Sequence, residues 1–181
     1  MNSDTIKGED ISGVLNKRSK TFVEKTINHT DKDTLEDMLE LEKKDGWSIF
    51  KSKRKASSKP KRRAKKKSYK LRKSKEKSEL LVNEVWCMLA KMGFHELSKD
   101  DEFAITDTKK FVEHKIDIYA RDENCVLLLQ CEQLDVPGVT KKIDERIDEI
   151  KLIRSSIEQN IRKEFDGIKV KWLIATRRIS W

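Results

Sequence analysis

Two sets of residues in this 181-residue chain have types and spacings suited to chemistry. The first is KSKRKASSKPKRRAKKKSYKLRKSKEK, residues 51–77, with sixteen Lys or Arg and one acid, Glu76. A lysine or arginine that neutralises a phosphate releases counterions, so this run suits nucleic-acid binding. Lys53, Arg54, Lys55, Lys61, Arg62, Arg63, Lys65, Lys66 and Lys67 are the candidate phosphate contacts, and Tyr69 could stack on a base. The second set is Asp117, followed thirteen residues later by Gln130-Cys131-Glu132. A lone aspartate on one strand, with two polar groups ending its buried neighbour, is unusual for a purely structural sheet. Glu84, beside the apolar stripe of a preceding helix, could point across the sheet toward Asp117.

The elements that must position the second set can be read from periodicity. Ile116, Ile118 and Ala120 alternate with Asp117 and Tyr119, the pattern of a strand with one apolar face. Residues 121–124 are polar turn material, and residues 125–129 form a continuous apolar run, as in a strand covered on both faces. With a period of two, Gln130 and Glu132 then point to one side of the sheet and Cys131 to the other. Before this hairpin, SELLVNEVWCMLAKM predicts a helix over 78–92, with Ser78 as cap and Gly93 as terminator. Its apolar face comprises Leu81, Val82, Val85, Trp86, Met88, Leu89 and Met92. A short strand is expected at Phe103-Ala104-Ile105. After the hairpin, Thr140 begins a helix of roughly 25 residues with isoleucines every three or four positions, closed by Gly167. Residues 168–176 follow as a strand parallel to the buried one, with the long helix as crossover. The order defines an α/β fold. A sheet that runs into Trp181 predicts a domain whose remainder lies further along, truncated here.

Composition divides the chain. Hydrophobic residues are 36% and charged residues 40% of the total, so a packed core cannot include every segment. The net +9 is the sum of +15 in residues 51–77 and −3 on each flank. Residues 1–50 read as a polar N-terminal segment with a short helix beginning near Asp33 and ending at Asp45-Gly46. Trp47, Ile49 and Phe50 are candidates to dock on the main domain. Self-repulsion argues that residues 51–77 are a disordered basic linker or arm, leaving residues 78–181 as the folded domain. Cys87, Cys125 and Cys131 lack metal-ligand spacing and read as reduced thiols of an intracellular protein. The chain opens with no signal peptide and holds no apolar run near the roughly 20 residues that cross a bilayer, so a soluble cytoplasmic protein with no membrane partner is expected. The location would be near the nucleoid, or nuclear in a nucleated cell, where the basic run also suits a localisation signal. Three scattered histidines and six glycines without a phosphate-binding loop supply no other scheme.

Asp117 and Gln130-Cys131-Glu132 fall where restriction-endonuclease-like proteins carry D…(D/E)xK. With NEVWCMLAKMGFHEL before them and the long helix after, residues 78–181 resemble the nuclease-like region at the start of DGQHR-domain proteins. Those are prokaryotic proteins, some associated with DNA modification and phage defence, although the naming motif does not occur here. The resemblance implies a restriction-endonuclease-like mixed sheet flanked by helices, and DNA as partner. It also implies a Mg²⁺ site in which Asp117 is the first carboxylate. The second carboxylate position holds Gln130, and the lysine position holds Glu132.

Two readings follow. In the active one, Asp117 and Glu132 bind Mg²⁺ with help from Glu84, Gln130 orients water, and a phosphodiester is hydrolysed. In the other, the fold persists as a catalytically inactive DNA-binding module. A polyanion-binding interaction protein, whose strand-end polar residues are ordinary, is a third alternative.

Overall fold

The chain, described by a computed structural model, divides into two compact units, Met1–Ser19 with Glu76–Trp181, and Lys20–Lys75. The structure describes residues 5–29, 32–54, 67–100, 103–107, 112–134 and 140–177. The larger unit opens with β1 (Thr5–Lys7) and α1 (Glu9–Arg18). The smaller unit holds β2 (Phe22–His29), α2 (Lys32–Lys44), β3 (Ser48–Arg54) and β4 (Lys67–Ser74). The larger unit then resumes with α3 (Lys77–Lys91), β5 (Glu96–Ser98), β6 (Phe103–Asp107), β7 (Val112–Ile116), β8 (Ile118–Arg121), β9 (Cys125–Gln133), α4 (Lys141–Glu164) and β10 (Lys169–Arg177). The fold is α/β, with a mixed sheet and, among the described residues, four helices.

In the larger unit the sheet order is β1-β5-β8-β9-β10. β9 pairs antiparallel with β8 and parallel with β10, as a helical crossover between β9 and β10 requires. The apolar run of β9 is covered on both faces because its alternate residues enter different cores. Leu127 and Leu129 join Trp86 and Leu89 of α3, whereas Val126 and Leu128 join Ile157 and Ile161 of α4. Each such buried aliphatic side chain contributes about 1.5–3 kcal/mol. Trp86 is fully buried, and its indole nitrogen donates to the Ser98 carbonyl at 2.8 Å, so the largest side chain of α3 leaves no polar atom unsatisfied.

Several expectations need correction here. Met88 and Met92 lie outside the buried face of α3; Met92 is 66% exposed, because the stripe that meets the sheet is narrower than the apolar set in the sequence. Glu76, not Ser78, occupies the cap position of α3. The N-terminal residues are not a separate segment. Ile11, Val14 and Leu15 form a short helical stripe that packs on the α3 core, and β1 pairs with β5 from Thr5↔Ser98 to Lys7↔Glu96. Arg18 is buried with them: its guanidinium lies 4.9 Å from the Trp86 ring centroid and donates to Asn83 Oδ1 and the Lys99 carbonyl. A three-residue strand closed by contacts some ninety positions away leaves little local signature.

The smaller unit corrects the disordered-arm expectation for its described part. Its sheet order is β2-β4-β3, both pairings antiparallel, and β4 lies wholly within the basic run. Tyr69 and Leu71 alternate with Lys70 and Arg72, so one face of β4 is apolar despite the charge. Leu71 is 1% exposed and packs with Leu39 of α2, flanked by Ile27, Trp47 and Tyr69. Trp47, expected to dock on the main domain, therefore completes this unit's own core, and Lys25 lies 4.1 Å from its ring centroid. Gly46, at φ +82°, ends α2 in the left-handed conformation that glycine adopts without strain. The Lys75 amide donates to the Thr21 carbonyl at 3.0 Å, so the unit begins and ends at neighbouring backbone positions. Lys53, Arg54 and Lys67 belong to strands. Lys55, Lys61, Arg62, Arg63, Lys65 and Lys66 lie outside the described residues.

Candidate functional site

Asp117 occupies a break between two strands. β7 pairs with β6 in a separate two-stranded ribbon, where Ile116 faces Phe103, while β8 joins the main sheet, where Ile118 faces Leu129. The expected single strand over 116–120 is thus split at Asp117. Ile116 and Tyr119 enter the α4 core, and Ile118 and Ala120 enter the α3 core. At the break the Asp117 amide donates to the Leu129 carbonyl at 3.1 Å, and its Oδ2 accepts the Cys131 amide at 2.6 Å. The carboxylate therefore satisfies a β9 amide beyond the point where the β8 ladder stops.

Gln130 and Glu132 follow on the α4 side of β9, while Cys131 packs at the margin of the α3 core. Gln130 is 7% exposed, and its side-chain amide donates to the Lys115 carbonyl at 2.9 Å. Glu132 Oε1 accepts from Arg146 Nε of α4 at 2.6 Å, and Arg146 also donates to Glu149 at 2.7 Å. The Glu132 hydrogen bond, with that of Glu149, raises the already high Arg146 pKa further, which fixes this cation as permanently charged. The Cys131 thiol is pushed up to about 12, first by burial and then by the charges of Asp117 and Glu132. A thiolate is therefore disfavoured there near neutral pH.

Asp117, Gln130 and Glu132 are thus brought to one end of adjacent strands. Glu84 is not. It projects from α3, on the opposite side of the sheet from α4, and accepts from Arg177 at the end of β10. Arg146 is the residue that sequence reasoning missed. Its one advance sign was its place in the second turn of the helix that follows the Glu132 strand.

The donor set can be tested against a hard divalent cation, which demands several free oxygens at short range. Asp117 Oδ2 already accepts a backbone amide and Glu132 is paired with Arg146, while Gln130, anchored through its amide nitrogen to the Lys115 carbonyl, is neutral and offers an amide oxygen where a carboxylate would be needed. Among the described residues no group of three or more His, Cys, Asp or Glu side chains is gathered as a metal cluster would need. As arranged, these residues do not fit Mg²⁺, and the arrangement is better suited to holding β7, β9 and α4 together.

A second polar cluster, on the other side of β8, is structural by the same measure. Buried Glu96 accepts from Thr5 at 2.8 Å and from both Arg121 Nε and a terminal Arg121 nitrogen at 2.6 Å, which ties β1, β5 and β8. All three cysteines carry free thiols. No helix among the described residues is long and apolar enough to cross a membrane. No protein-family model, no curated protein and no solved structure matches this chain.

Proposed function

We propose that the protein is a DNA-binding module in which a restriction-endonuclease-like core carries a strongly basic second unit, and that it does not hydrolyse its ligand. One observation carries the binding half of this reading. Residues 20–75 hold twenty Lys or Arg against eight acids, a net +12, while the remaining residues hold twenty-one against twenty-four. The positive charge is confined to one unit, as expected when it serves a ligand and not general solubility. The non-hydrolytic half is supported by the engagement of Asp117, Gln130 and Glu132 with Cys131, Lys115 and Arg146.

Fluorescence anisotropy with a labelled duplex tests the binding. Affinity falls steeply with salt, at a log–log slope of about −0.9 per phosphate contacted. Replacing Lys61, Arg62, Arg63, Lys65 and Lys66 together with glutamine flattens that slope. An unchanged slope in this variant removes the basic run as the binding element. Equal affinity for heparin and DNA favours a general polyanion binder.

A hydrolytic reading draws on Arg146 alone, which brings to Glu132 a cation where the motif's lysine is missing. Supercoiled plasmid incubated with Mg²⁺ or Mn²⁺ separates the two. The binding module leaves it intact; nicking that Asp117→Ala abolishes establishes hydrolysis.

A further inference from the structure

We propose that the face of the β2-β4-β3 sheet opposite α2 is a docking surface for single-stranded DNA, with Phe50 as the base-stacking platform and Lys70 as a phosphate contact. This rests on the DNA-binding reading above and adds the surface and the form of the ligand. α2 covers one face of this sheet through Leu39 and Leu71. The other face carries Phe22, Glu24, Lys70, Arg72 and Phe50. Arg72 lies between the two rings, 3.6 Å from the Phe22 centroid and 4.3 Å from that of Phe50. Its guanidinium also donates to Glu24 at 2.9 Å, so both rings are braced in place. Phe50 nevertheless remains 39% exposed, a large apolar ring amid charge, and Lys70 is exposed two residues from Arg72 on the same side of β4. The register sets Lys51 opposite Lys70 and Lys53 opposite Ser68, so β3 and β4 bring further basic residues to neighbouring positions.

The combination selects the ligand. A net +12 unit calls for a polyanion, and a fixed, exposed aromatic ring gains affinity only from a group that can stack on it. Duplex bases already stack on one another, whereas those of a single strand can turn onto the sheet. Single-stranded DNA supplies both the phosphates and the free base faces.

The test uses the full chain and a labelled oligo-dT of about 12 nucleotides, within the usual site size of such surfaces. A duplex and an oligo-rU of equal length serve as competitors. The single strand of DNA binds tightest. Phe50→Ala weakens that binding by about tenfold and leaves the salt slope unchanged, since stacking is not ionic. Phe50→Leu, which keeps the apolar bulk and the fold, shows a similar loss. Lys70→Gln lowers the salt slope by about one. Unchanged single-strand affinity in both Phe50 variants overturns this surface while leaving the DNA-binding reading intact. Tighter binding of duplex or RNA overturns the assignment to single-stranded DNA, and binding of none of the three removes both proposals.

Discussion

The two units reach folded structure by different balances. The larger carries a slight negative charge and two apolar cores, one on each side of a five-stranded sheet. The smaller carries +12, and among its described residues Leu39 and Leu71 are buried, with three partly buried neighbours. Apolar burial organises the first unit, and its charges are paired locally, as in Glu96–Arg121 and Glu132–Arg146. In the second, an excess of like charge opposes folding, and counterions that screen it stabilise the unit.

The sharpest way to break this comparison is to remove the centre of the larger unit. Trp86→Ala should cost about 3–5 kcal/mol, the range for emptying a buried aromatic site. Urea unfolding followed by amide exchange should show the loss over residues 5–19 and 76–177 and spare residues 20–75. Next in size, Leu71→Ala should cost about 2–5 kcal/mol. Exchange protection of β2, β3 and β4 should fall with it while β9 keeps its own.

Electrostatic tests separate the units in opposite directions. Burial raises the Glu96 pKa, but hydrogen bonds from Thr5 and Arg121, with the charges of Arg121 and Lys7, outweigh it, and the net shift is downward from 4.5. A carboxyl lowered on folding contributes stability above its unfolded value and loses it as pH falls through the folded value. The larger unit should therefore weaken below about pH 4.5, and Glu96→Gln should remove part of that dependence in acid titrations monitored by Trp fluorescence. The smallest effect is that of salt. Raising ionic strength should firm up the smaller unit by up to about 1 kcal/mol and leave the larger nearly unchanged, as read by exchange at neutral pH. Equal responses from the two units would remove the charge contrast on which the comparison stands.

The strongly periodic elements were legible from sequence. The β9 run, the α4 isoleucines and the parallel strand after Gly167 follow from spacing alone, because burial on both faces of a sheet forces those patterns. The break at Asp117 was not, since alternation through Ile116, Ile118 and Ala120 hides a change of sheet partner. Nor were β3 and β4, because basic residues dominate their composition and only Tyr69 and Leu71 betray the apolar face. Of the candidate site, the cluster of Asp117, Gln130 and Glu132 was readable from a period of two. Its engagement by Arg146 and the Lys115 carbonyl depends on packing of α4 and β7, which no local pattern encodes.

The bond from Lys75 to Thr21 makes the small unit a cassette. A few glycines and serines joining Ser19 to Glu76 should excise it whole and leave a host that still assembles, while the excised piece, its termini adjacent, should tolerate cyclisation. The ribosome meets the same layout in time. The host's first strand is synthesised, waits while the entire insert emerges, and finds its partner only when Glu96–Ser98 has left the exit tunnel.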